Sequence, residues 1–89
     1  MVNYTILYSK EAQKDAKKLT VAGLSDKAKE LISLVAIHPF QTPPSYEKLV
    51  GNLSGAYSRR INIKHRLVYQ VDEESKTVRI LRMWSHYGE

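Results

Sequence analysis

The sequence predicts an α+β domain in which two N-terminal helices pack on a mostly antiparallel four-stranded sheet, in the order β-α-α-β-β-β. Three observations predict it. A single strand pattern precedes two helical periodicities, three further strand patterns are gathered in the second half, and 89 residues leave room for one core. Residues 1–89 are therefore expected to be a single domain with no internal repeat or linker.

Val2, Tyr4, Ile6 and Tyr8 alternate with Asn3, Thr5 and Leu7, so a first strand is expected over about 2–8. Ser9 is placed to cap the next helix, with Glu11 in the first turn against the positive end of the helix dipole. Ala12, Ala16 and Leu19 recur at i, i+4 and i+7, while Lys10, Lys14, Lys17 and Lys18 take other faces. That helix should end near residues 21–23. Leu24, Ala28, Leu31 and Val35, with Ile32 filling the stripe, give a second amphipathic helix. Pro39 ends it, because the residue before a proline is biased away from the helical region. Residues 38–46, HPFQTPPSY, read as a proline-punctuated loop. Strands follow at about 56–63, 65–72 and 77–86, joined by a tight turn near Lys64 and a hairpin loop from Asp72 to Lys76.

Strand parity sorts the charges. Leu67, Tyr69 and Val71 share one face, and Arg66, Val68 and Gln70 the other. Ile61 and Ile63 are core candidates, which puts Arg60 on the opposite face with Ser58 and Asn62. In the last strand Val78 and Ile80 favour one parity, Leu81 and Met83 the other. If Leu81 and Met83 point inward, Arg82, Trp84 and His86 join Arg60 and Arg66 on the outer face; a bulge would switch the parity midway.

The formal net charge is +5, which favours polyanionic partners, either nucleic acid or an acidic protein. The chain has no cysteine, which removes disulfides and thiolate metal sites and is compatible with a cytoplasmic location. No apolar run approaches the roughly 20 residues of a membrane span. The N-terminal segment has no basic stretch followed by a long apolar one, so no secretion signal is expected. The three histidines lack ligand spacing, so neither metal nor cofactor is expected.

Cleaving RNA through its own 2′-hydroxyl requires a base for the 2′-proton, a cation for the charge gathering on phosphorus, and an acid for the departing 5′-oxygen. Arg66 is the candidate cation, because a guanidinium binds two phosphate oxygens and stays charged. His86 is the candidate acid, since imidazole titrates near working pH. Glu47, after the Pro43-Pro44 loop, is the nearest candidate base. His38 and His65 read as turn residues, and Tyr4, Tyr8 and Tyr69 as core or sheet packing.

The run from Glu47 to Val71, EKLVGNLSGAYSRRINIKHRLVYQV, and the terminal SHYGE resemble the YoeB/Txe group of bacterial toxins within the RelE superfamily. The matching blocks are Pro39-Phe40, Glu47-Lys48-Leu49, Asn52 to Gly55, Ser58 to Ile61, His65 to Tyr69 and His86-Tyr87. The resemblance implies a compact microbial-ribonuclease-like (RelE-like) fold and endoribonuclease cleavage of mRNA in the ribosomal A site. It implies Glu47 as base, Arg66 on the phosphate, His86 as acid and Tyr87 supporting the site, without metal. Arg59, Arg60 and Arg82 would form a basic groove for RNA, with Lys48 and Trp84 beside it. A YefM/Phd-type antitoxin whose disordered tail wraps the toxin is the implied protein partner, the ribosome a second, and homodimers an allied expectation. The chain departs from the family in carrying Val50 where a lysine is frequent, Ala56-Tyr57 where an aromatic pair is frequent, and Gly88-Glu89 beyond His86-Tyr87. A second reading of the same basic face is a non-catalytic module that binds nucleic acid or an acidic partner. The Glu–Arg–His set separates the two, because binding alone needs no carboxylate in a cationic groove.

Overall fold

A computed structural model describes residues 3–51 and 54–84. Among these the chain forms β1 (Thr5–Tyr8), α1 (Lys10–Val21), α2 (Ser25–Ile37), β2 (Glu47–Lys48), β3 (Tyr57–Arg60), β4 (Arg66–Asp72) and β5 (Thr77–Arg82). The α+β class and the order of helices and strands are as expected. The sheet, however, has five strands in the order β1-β5-β4-β3-β2. β1 runs parallel to β5 and every other pairing is antiparallel. The added strand is β2. Glu47 pairs with Ser58 and Lys48 with Tyr57, and the Leu49 amide donates to the Ala56 carbonyl, so Glu47 lies within an edge strand rather than ahead of the sheet.

Local chemistry explains the element ends. The Ser9 hydroxyl accepts from the Ala12 amide at 3.0 Å, which caps α1, and donates to the Leu81 carbonyl at 2.7 Å, which ties the cap to β5. Ser9→Ala loses both bonds and should cost about 1–2 kcal/mol in chemical denaturation. A change within a few tenths would show that water replaces them. The turn between β3 and β4 is held by the Asn62 carboxamide oxygen, which accepts from the Lys64 and His65 amides. β3 therefore stops at Arg60, and Ile63, expected in the core, is 82% exposed because the strand alternation no longer applies there.

The core lies between the helices and one face of the sheet. Ala12, Leu19, Ala28 and Val35 meet Ile61, Leu67, Tyr69, Val78, Ile80 and Met83. The last strand resolves its conflicting parities with the bulge. Tyr69 is opposite Ile80 but Val68 is opposite Arg82, so Leu81 is the extra residue and the alternation restarts with Met83 buried. No helix among the described residues is long and apolar enough to cross a membrane.

Candidate active site

Residues directly opposite in an antiparallel pair share a face, and steps of two keep it. Glu47 is opposite Ser58, Ser58 opposite Val68, and Arg60 opposite Arg66. Glu47, Arg60 and Arg66 therefore stand on the face away from the helices, each fixed by a different strand. Arg66 Nη1 lies 3.7 Å from Glu47 Oε1. That is within ion-pair range but longer than a hydrogen bond, and the Glu47 side chain is 73% exposed, so the pair contributes little and leaves both groups available. Arg60, exposed, faces a second guanidinium across the strands. Like charges so placed repel, and an anion between them relieves the repulsion.

The C-terminal end of the described chain arrives at this place. The Arg66 amide donates to the Trp84 carbonyl at 2.8 Å, and the Trp84 indole stacks on the His65 imidazole with centroids 4.0 Å apart and 17° between the planes. His86 and Tyr87, expected as acid and supporting group, lie outside the described residues. Trp84 is half-buried with one face taken by His65. This pair packs towards the helices rather than on the face of Glu47: His65 has the parity of Leu67, and Trp84, expected beside the groove, packs against the core next to Lys17, Lys18, Val21 and Ala22. The His65 Nδ1 is enclosed without a partner.

Three expected groove cations sit differently. Arg59 is 1% exposed and belongs to the helix side of the sheet. Its Nε donates to the Tyr69 hydroxyl at 3.0 Å, Nη1 to the Pro44 carbonyl at 2.6 Å, and Nη2 to the Pro39 carbonyl at 2.9 Å. Its donors face inward, which corrects its placement in the groove. The reason is parity: Arg59 is two positions from both Tyr57 and Ile61 and shares their face, which is turned to the core. Burial raises the Tyr69 pKa, so its hydroxyl stays protonated and donates to the Pro39 carbonyl at 2.8 Å. Arg82 is bound through Nε to the Asp15 carboxylate at 2.9 Å, so it too is engaged within the fold. Lys48 is exposed but opposite Tyr57, and so takes the side of β2 away from Glu47. Among the described residues no group of three or more histidine, aspartate or glutamate side chains is gathered in one place.

Taken residue by residue, the face offers a solvent-accessible carboxylate and two guanidiniums. Such a set can accept a proton and hold a phosphodiester in one step. The family model described as YoeB-like toxin of bacterial type II toxin-antitoxin system matches residues 8–87. Toxin YoeB of Escherichia coli (strain K12) is 43% identical over 61 residues, covering 68% of this chain and 70% of that protein. Among solved structures, the YoeB dimer from Staphylococcus aureus superposes with a TM-score of 0.80 at 34% identity, covering 96% of this chain and 99% of that one. The YoeB–YefM complex from the same organism gives 0.78 at 34% identity, over 94% and 98%.

Proposed function

This chain belongs to the YoeB-like toxins of bacterial type II toxin–antitoxin systems, and from that premise we propose that it is a metal-independent endoribonuclease that cleaves mRNA in the ribosomal A site. Glu47 takes the proton of the substrate 2′-hydroxyl, and the 2′-oxygen forms a bond to phosphorus. Arg66 holds the two non-bridging oxygens as their charge grows, with Arg60 adding positive potential. The bond to the 5′-oxygen breaks as His86 delivers its proton there, and Tyr87 supports that transfer.

The observation that carries this reading is a carboxylate placed on the same sheet face as two opposed arginines, 3.7 Å from one of them. A surface that only bound RNA would be weakened by it. The protein should act in the cytoplasm, where messenger RNA and ribosomes are. A YefM/Phd-type antitoxin is the fitting partner, acidic and disordered where it covers the basic face and ordered on binding. Self-association into a homodimer, as in the Staphylococcus aureus YoeB dimer, is part of the same proposal.

The products are the direct test. Cleaved RNA should carry a 2′,3′-cyclic phosphate and a 5′-hydroxyl, and EDTA should leave the rate unchanged. A 5′-phosphate product, or complete loss of activity on chelation, would replace this mechanism with a metal-dependent one. Expression without antitoxin that neither stops growth nor cleaves RNA would leave a binding module in its place.

A further inference from the structure

Arg59 holds the most densely bonded buried side chain near the site, and all its contacts on the proline loop lie in the segment that leads to Glu47. Two of its nitrogens donate to the Pro39 and Pro44 carbonyls, and its guanidinium carbon sits 5.0 Å from the centre of the Tyr46 ring, the residue immediately before Glu47. The Tyr69 hydroxyl joins the same knot from the central strand, accepting from Arg59 and donating to Pro39. Around it Phe40, Tyr46 and Tyr57 pack their rings with centroids 5.0–5.8 Å apart. Glu47 itself sits in a strand of only two residues at the edge of the sheet, which by itself is a weak mounting for a catalytic group. We propose that Arg59 is a positioning residue: its planar, five-donor fork locks the loop from Pro39 to Tyr46 to the sheet and so sets where the Glu47 carboxylate stands relative to Arg66.

The inference rests on the reading of Glu47 as the base, and differs from that reading in what it predicts. Arg59 never touches RNA, so its loss should leave RNA affinity unaltered and slow the chemical step. An ångström of misplacement can cost up to about 100-fold in rate.

The experiment compares Arg59→Met, Arg59→Lys and Tyr69→Phe in the wild-type and Glu47→Gln backgrounds. Single-turnover cleavage of messenger RNA on ribosomes, affinity for a 2′-deoxy oligonucleotide, and hydrogen exchange of the amides at 46–49 are measured for each. Arg59→Met should lose roughly 10- to 100-fold in rate, bind the oligonucleotide as wild type does, and expose those amides. Arg59→Lys should fail to rescue it, since one ammonium cannot reach both carbonyls and the phenol together. In the Glu47→Gln background the Arg59 effect should disappear, because residues acting through one group are not additive. Tyr69→Phe removes a single hydroxyl and should show the same pattern in weaker form, including if Arg59→Met does not fold. Weaker oligonucleotide binding with unchanged exchange would make Arg59 an RNA contact and overturn the proposal. A rate loss fully additive with Glu47→Gln would overturn it as well. Wild-type cleavage by Glu47→Gln alone would instead remove the base assignment.

Discussion

Glu47→Gln should lower the single-turnover rate of RNA cleavage by about 10²–10⁴-fold while leaving the fold intact. Glutamine keeps the size of the side chain and the pairing of Glu47 with Ser58, so what is lost under the proposed mechanism is the ability to accept the 2′-proton. The same change removes a negative charge from a face carrying Arg60 and Arg66, so affinity for a non-cleavable RNA should rise. Opposite movements of rate and affinity are the mark of a base in a cationic site. In the proposed mechanism Arg66 binds the phosphate before and during the reaction, so Arg66→Ala should lower rate and affinity together, by about 10²-fold or more in rate. Glu47→Gln cleaving at the wild-type rate would remove Glu47 from the mechanism and leave the proton acceptor to be sought elsewhere on this face.

A second large effect is expected far from the reacting atoms. Asp15→Ala should destabilise the domain by about 2–4 kcal/mol in urea or thermal unfolding. Asp15 lies in α1 at 1% exposure, and its carboxylate accepts from Arg82 Nε at 2.9 Å and from the Met83 amide at 3.0 Å. Without it the Met83 amide is buried with no acceptor, and Arg82 loses its carboxylate. Arg82 is 36% exposed and recovers some water, which keeps the expected loss below the largest values for buried ion pairs. Asp15→Asn retains an acceptor and should cost less. The bond to Met83 fixes the chain just past the bulge in β5, two residues before the undescribed tail begins, so growth arrest should weaken along with stability. An Asp15→Ala protein as stable as wild type would show that the bulge holds itself.

Several features were readable in the chain alone. Ser9 as the cap of α1, the end of α2 ahead of Pro39, and the alternation of Leu67, Tyr69 and Val71 each depend on interactions within a few residues. They were therefore fixed by spacing. The pairing of Glu47 with Arg66 as candidate base and cation came from residue type and motif, and the sheet sets them 3.7 Å apart. Two further signals lie in the sequence. Asp15 falls within the Ala12, Ala16, Leu19 stripe, where a carboxylate must find buried partners. Arg59 has the parity of Ile61, where a guanidinium must likewise be satisfied inside.

Tertiary structure decided the rest, because those partners are distant in sequence. Arg59 is buried at low cost only because the Pro39 and Pro44 carbonyls and the Tyr69 hydroxyl, 20, 15 and 10 positions away, converge on one fork. Asp15 meets Arg82 and Met83 across 67 and 68 positions, which no local periodicity encodes. β2 is too short to show a strand pattern and exists because β3 offers it an edge. The sequence by itself determined which residue types line the basic face and the class of fold that carries them. Only packing determined which arginines face solvent and which hold the loop, because a charge is assigned inside or outside by whether distant groups can replace its water.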